Sequence, residues 1–219
     1  MKATTKKVPE LRFPEFEGEW KSSSFEKITN YVKSGKSKKK EDGFYNLYGS
    51  TGVIGKTDNF IPKGQYLLIA RVGANAGQIN FVEGVFGVSD NTLVVSLHRS
   101  VDIDFIRGFL VQYNLNRLVF GSGQPLVTGG LLKRIKVPIP NYKEQQKIAD
   151  FLTQVDKKIE LLEKKQAALE QYKKGVMQKL FNREIRFPIE NEAGESIQPP
   201  AWEEKKLGEI GNTYSGLSG

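Results

Sequence analysis

Few side chains in this sequence are able to do covalent chemistry. There is no cysteine, and His98 is the one histidine. Without thiolates and with a single imidazole, no metal cluster of ordinary ligand type assembles, and a Ser–His–acid centre would have to use His98. No Gly-x-Ser-x-Gly elbow accompanies it, and at the end of an apolar run a lone histidine reads as structural or surface-exposed. Ser50-Thr51-Gly52-Val53-Ile54-Gly55-Lys56-Thr57 approaches a phosphate-binding P-loop, with Ser in place of the first Gly. A P-loop must open a helix whose N-terminal amides hold the phosphates, but Asp58-Asn59-Phe60-Ile61-Pro62-Lys63-Gly64 follows, which is not helical sequence. The stretch still suits nucleic-acid phosphates, since small residues admit the backbone and Lys56 and Thr57 reach outward. Pro140-Asn141-Tyr142 is not the Asn-Pro-Pro-Tyr type of loop that a DNA methyltransferase needs, and Glu203 with Lys205 is a spacing that chance supplies in a chain 26% charged. These residues point away from catalysis: no catalytic residue, no metal and no cofactor of its own is expected.

Cationic groups are plentiful by contrast. The net charge is +8, and residues 1–40 hold eleven Lys/Arg against five Glu. That segment ends in Lys33, Lys36, Lys38, Lys39 and Lys40 among Ser and Gly, which reads as a flexible basic loop. Such a loop fits a polyphosphate, because cation contacts release condensed counterions; a solvated, solubilising loop has the same composition. Hydrophobic residues at 38% are enough for a core, and no stretch nears the ~20 apolar residues of a membrane span. With no cysteine and a charged start lacking an apolar leader, a reducing cytoplasm is the expected location.

The elements that must position these groups are marked by an internal repeat. Leu11-Arg12-Phe13-Pro14 recurs as Ile185-Arg186-Phe187-Pro188, and Trp20 recurs as Trp202. Tyr31, Ser34 and Gly35 have counterparts in Tyr214, Ser215 and Gly216. The spacing predicts an N-terminal segment 1–20, a domain at 21–140 rich in Gly, aromatic and β-branched residues, a long helix 141–182 and the incomplete start of a second unit at 183–219. Within 21–140, strands are expected at 66–71, 77–82 and 92–97, a helix at about 102–120, and an exit strand at 135–139. The fold class is α+β (mixed α/β): an irregular, mostly antiparallel sheet followed by one coiled-coil helix. Asn141 with Glu144 forms a capping-box pattern, and Ile148, Leu152, Val155, Ile159, Leu162, Leu169, Val176 and Leu180 step in heptads. A helix of roughly 60 Å cannot bury that seam on a compact neighbour, so a second long helix is expected, from another copy or from a missing remainder.

The junction Leu132-Lys133-Arg134-Ile135-Lys136-Val137-Pro138-Ile139-Pro140, followed by Glu144-Gln145-Gln146-Lys147-Ile148-Ala149 at the head of a heptad helix, resembles the specificity subunits of type I restriction–modification systems. Tyr48-Gly49-Ser50-Thr51-Gly52, Leu67-Leu68-Ile69-Ala70-Arg71-Val72-Gly73 and Val88-Ser89-Asp90-Asn91 are similar to recurring blocks of their target-recognition domains. The resemblance implies a non-catalytic subunit with two recognition domains, each reading half of a bipartite site in double-stranded DNA. Two antiparallel helices set the gap between them. It also implies methyltransferase subunits using S-adenosylmethionine and restriction/translocase subunits using ATP and Mg. This chain holds one such domain, either as a half-subunit that pairs with a second copy through its helix or as a truncated form.

The residues expected at phosphates are Lys36, Lys38, Lys39, Lys40, Lys56 and Arg71, with Ser50 and Thr51 in a backbone-approach loop. Base edges fall to Tyr45, Tyr48, Asn75, Asn80, Asn91 and Gln124, because amides pair with adenine and arginine with guanine. Two other classes stay open on the sequence: an endonuclease fragment with its own cleavage centre, and a coiled-coil adaptor that does not bind DNA.

Overall fold

A computed structural model describes residues 8–118, 125–212, 214 and 216. The chain divides into two compact units, residues 1–158 and 159–219.

The first unit is built on a mixed six-stranded sheet. Its strands are β2 (Thr29–Ser34), β3 (Tyr45–Gly49), β4 (Gly52–Thr57), β5 (Ile61–Ala70), β6 (Ile79–Val88) and β7 (Thr92–Leu97), in the order β2-β7-β5-β6-β3-β4. All its pairings are antiparallel except β3–β6, where Leu47 and Tyr48 lie beside Gly87 and Val88 in parallel. The apolar run of β5 is continuous because both of its faces are buried. Leu67 and Ile69 enter the core under the helices, while Tyr66 and Leu68 enter a second core with Val82, Phe86, Val88 and Val94. The sheet curls tightly enough that a Cβ on Gly35 would lie 2.2 Å from the Val88 carbonyl oxygen, so only glycine fits there.

The helical layer covers one face. Helix α1 (Ile103–Tyr113) is capped by Asp102, whose Oδ1 accepts from the Phe105 amide at 2.9 Å. It ends at Asn114, which takes a left-handed φ of 56°. The helix expected to run to 120 therefore stops early, because a left-handed residue closes the hydrogen-bond ladder. A 3-10 turn at Leu115–Leu118 follows. Helix α2 (Gly129–Arg134) is capped by Thr128.

The expected strands are present with longer bounds for β5 and β6. Reading Ser50–Thr57 as one loop is corrected: Gly52–Thr57 is the second strand of the β3–β4 hairpin, whose alternation is masked because Gly49, Gly52 and Gly55 carry no side chain to show a face. Two short strands, β1 (Lys21–Ser24) and β8 (Lys136–Ile139), pair antiparallel with Lys21 opposite Ile139. They bring the two ends of this sheet-bearing domain together, so residue 20 sits beside residue 140.

Helix α3 (Tyr142–Phe181) is one continuous element of 40 residues. Asn141 caps it, its Oδ1 accepting from the Glu144 amide at 3.0 Å. Ile148 packs on the main core, whereas Leu152, Val155, Ile159, Leu162 and Leu169 are 40–56% exposed. The second unit contains the end of this helix, the short hairpin β9 (Ile189–Glu190) with β10 (Ser196–Ile197), and a single turn α4 (Leu207–Ile210). Among the described residues no helix is long and apolar enough to cross a membrane.

Candidate nucleic-acid interface

The basic stretch after β2 is tied down rather than flexible. Gly35 donates to the Thr92 carbonyl at 2.9 Å, Ser37 to Val88 at 2.8 Å, and Lys40 to Lys56 at 2.9 Å. Sequence composition predicts flexibility there, but these backbone bonds replace a strand partner. The end of this connection, Lys39 and Lys40, thereby lies at the β3–β4 hairpin. Lys39 lies over Gly55, where a Cβ would meet its Cε at 2.9 Å. Lys40 is ion-paired with Asp58, and Lys56 donates to Asn46 Oδ1 at 2.9 Å. The Lys40 ammonium holds the Asp58 carboxyl below the usual carboxylate range, chiefly through that hydrogen bond. Lys33 belongs to β2, its ammonium 4.2 Å above the Tyr31 ring. Lys36 and Lys38 are exposed, and Lys36 lines a cleft of about 280 Å³ with Ser37, Asn59 and Phe60.

Aromatic side chains interleave with these cations, and sequence reasoning overlooked most of them. Phe44 is 83% exposed, and the Tyr45 ring tilts against Phe60 with centroids 4.9 Å apart. The signal was present: Phe44-Tyr45 closes a segment that begins with three consecutive lysines. Ammonium groups beside exposed ring faces can hold phosphates while stacking on bases or sugars.

Other expected residues lie elsewhere. Ser50 and Thr51 form the β3–β4 turn, at the end of β4 opposite Lys56, roughly 13 Å away along the strand. The run from Ser50 to Thr57 is therefore not one loop. Thr57 does not reach outward; it is fully buried, with Oγ1 accepting from the Asn59 amide at 3.2 Å. Tyr48 packs edge-on against Phe86 at 5.2 Å in the second core. Arg71 commits Nη1 to Ser34 Oγ at 2.9 Å and to the Asp90 carbonyl at 3.3 Å, and its backbone amide donates to Asn91. Arg71 and Asn91 thus form a second group, away from the lysines in sequence and joined through the β6–β7 turn. Asn75 is exposed in the connection between β5 and β6, and Asn80 is half-buried opposite Leu68. Gln124 lies outside the described residues. His98 is exposed just after β7, and Glu203 and Lys205 form a 3.2 Å surface ion pair with each other. Among the described residues no group of three His, Cys, Asp or Glu is placed to hold a metal ion.

The head of α3 carries the most constrained polar groups. Glu144 has a side chain 1% exposed and accepts from three donors: Arg12 Nε and Nη2, both at 2.7 Å, and Trp20 Nε1 at 3.0 Å. In the capping-box reading its side chain would turn back to the N-cap amide; instead the carboxylate neutralises Arg12, the stronger, charge-assisted partner. Gln145, also buried, accepts from the Asp102 amide at 2.9 Å and donates to the Pro140 carbonyl at 3.0 Å. Through these two residues the N-terminal segment, α1 and α3 are locked at fixed angles.

Comparison with known proteins finds a family model, curated relatives and solved structures similar to this chain. Residues 17–171 match the family described as the type I restriction modification DNA specificity domain. The chain is 31% identical over 119 residues to the type I restriction enzyme EcoprrI specificity subunit of Escherichia coli, covering 54% of this chain and 30% of that protein. It is 29% identical over 195 residues to the MjaVIII specificity subunit of Methanocaldococcus jannaschii, covering 86% of this chain and 42% of that one. The chain therefore spans less than half the length of these curated relatives. The crystal structure of an S subunit from M. genitalium superposes with a TM-score of 0.57 at 19% identity, covering 81% of this chain and 49% of that one, so the folds agree.

Proposed function

Since the chain belongs to the type I restriction–modification DNA specificity family, we propose that it supplies sequence recognition to such a system and leaves the chemistry to other subunits. The observation that carries this reading is the basic edge, where Lys39, Lys40 and Lys56 lie at the β3–β4 hairpin, Lys36 lines a cleft with Phe60, and Lys38 and Phe44 are exposed. Ammonium groups neutralise phosphates and fix the domain on the duplex; base reading falls to the neighbouring Tyr45 and to the Arg71–Asn91 group, with Asn75, Asn80 and Gln124 as further candidates. Methyltransferase subunits and ATP-driven restriction subunits are the partners, and S-adenosylmethionine, ATP and Mg belong to them. The exposed heptad seam of α3 supports pairing of two copies with antiparallel helices, so that the two-fold dimer reads a palindromic bipartite site in the cytoplasm.

Binding to random-sequence duplex DNA across a salt series tests the interface. Each of Lys39→Ala and Lys56→Ala should shallow the log–log salt slope by about 0.9 for every phosphate that the lysine neutralises. Unaltered slopes, or no DNA binding at all, would leave an adaptor role in place of this one. Cleavage of DNA by the purified chain with magnesium alone would instead establish a nuclease. Mapping methylated sites in cells that express the chain with its methyltransferase partner would give the target, its symmetry and its spacing together.

A further inference from the structure

The second copy of the repeat rebuilds the Arg–Trp clamp without its acid. In the first copy Arg12 donates Nη1 to the Gly18 carbonyl at 2.6 Å and Nη2 to the Glu17 carbonyl at 3.0 Å. These carbonyls lie two and three residues before Trp20. In the second copy Arg186 donates Nη1 to the Pro199 carbonyl at 3.0 Å and Nη2 to that of Pro200. They lie three and two residues before Trp202, so the same local loop has formed around the same side chain. The Arg186 guanidinium sits 5.8 Å from the Trp202 ring centroid. What differs is the remaining edge. Arg12 Nε meets Glu144, whereas Arg186 Nε is buried and has no partner among the described residues. Trp202 is 44% exposed and Phe187, the counterpart of Phe13, is 71% exposed. Phe13 itself packs edge-on against Phe151 of the helix at 5.9 Å. A buried guanidinium N–H with no acceptor is costly, and a carboxylate presented on the first turn of a helix is the group this clamp holds in the first copy.

Geometry decides which carboxylate can reach it. The helix from Glu144 to Phe181 spans about 55 Å, while the few residues from Phe181 to Arg186 reach at most about 18 Å. Arg186 cannot return to the Glu144 of its own chain. In an antiparallel pair of these helices, however, the end of one lies at the head of the other. We infer that residues 185–202 of one copy dock on the helix head of a second copy, with the partner's carboxylate at position 144 accepting from Arg186 Nε and the Trp202 indole. This inference rests on the antiparallel dimer proposed above. Each Glu144 then has two competing clamps, residues 11–20 of its own chain and residues 185–202 of the other. Docking is an exchange between two chemically equivalent states of the joint that orients the recognition domain on its helix.

The absence of cysteine makes the exchange directly readable. Phe151→Cys with Phe187→Cys, both at exposed positions, should give a disulfide-linked dimer on mild oxidation. Adding Arg186→Ala should lower that yield roughly tenfold, as loss of a charge-assisted hydrogen bond implies. Phe13→Cys with Phe151→Cys should close within one chain and shows that position 151 reacts. Sedimentation of the same samples separates the two readings. A dimer in sedimentation with no cross-link, or with one indifferent to Arg186→Ala, overturns the exchange and leaves the helix-paired dimer standing. A monomer overturns the dimer, and the exchange with it.

Discussion

Replacing Glu144 with Ala should loosen the joint between the recognition domain and α3 more than any other single change at the helix head. The carboxylate is 1% exposed and satisfies three donors at 2.7–3.0 Å, two from Arg12 and one from Trp20. Alanine removes the acceptor and leaves the Trp20 indole N–H without its partner, while the ring stays packed edge-on against Phe105 with centroids 6.1 Å apart. Deleting one partner of a buried ion pair costs about 3–5 kcal/mol. The lower end applies here, about 3 kcal/mol, because Arg12 keeps the Glu17 and Gly18 carbonyls and some access to water. With a urea m-value of about 2 kcal/mol/M, the unfolding midpoint should fall by roughly 1.5 M. Glu144→Gln retains one acceptor oxygen and should lose about half as much. Urea titration followed by tryptophan fluorescence, with Trp202→Phe in every variant so that Trp20 is the sole reporter, reads the change. In a double-mutant cycle with Arg12→Met, the second substitution should add little to the first, since both remove the same ion pair. A midpoint shift below about 0.5 M, or full additivity with Arg12→Met, would refute the view that this carboxylate locks the joint.

Other perturbations test other parts of the molecule. The midpoint of α3 falls between Leu161 and Leu162, so an antiparallel dimer sets Leu162 close to its own copy; Leu162→Glu should weaken dimerisation by at least ~100-fold in sedimentation while leaving far-UV helicity of the recognition domain intact. Asp58→Asn should release Lys40 to a phosphate, tightening binding to duplex DNA and steepening the salt slope by about 0.9. The same pair gives a pH effect of defined sign. Because the folded Asp58 carboxyl lies below its ordinary value, the pair is intact above the usual carboxylate range and is lost as pH falls through that depressed value, where wild-type DNA binding should approach that of Asp58→Asn. Gly35→Ala would force a methyl group to within 2.2 Å of the Val88 carbonyl oxygen and should destabilise the domain by about 3 kcal/mol or more, measured by thermal unfolding.

Several features were legible in sequence because they depend on neighbours along the chain. The heptad spacing of α3, its Asn141 cap and the strand at Thr92–Leu97 follow from local periodicity and capping chemistry. The β3–β4 hairpin escaped the same reasoning because its glycines erase the alternation that marks a strand. The end of α1 was misplaced because Asn114 adopts a left-handed conformation that composition does not announce. Phe44 and Phe60 were passed over because an aromatic side chain is expected inside, and only the fold shows these two outside.

Composition and spacing set the repeat, the surplus of lysine, the poverty of catalytic groups and a heptad seam of apolar residues along one long helix. These are properties of composition and spacing, and each holds in any conformation of the chain. The tertiary structure decided which of those residues meet. Pairing of β1 with β8 carries Arg12 and Trp20 to Glu144, across more than a hundred residues of chain, and so turns a capping-box glutamate into the acid of a buried clamp. Backbone bonds to Thr92 of β7 and Val88 of β6 carry the lysine run across the sheet, the bond from Lys40 to Lys56 brings its end to β4, and the length of β4 separates Lys56 from Ser50 and Thr51. Long-range pairing depends on how the sheet curls and closes, and local spacing carries no record of it.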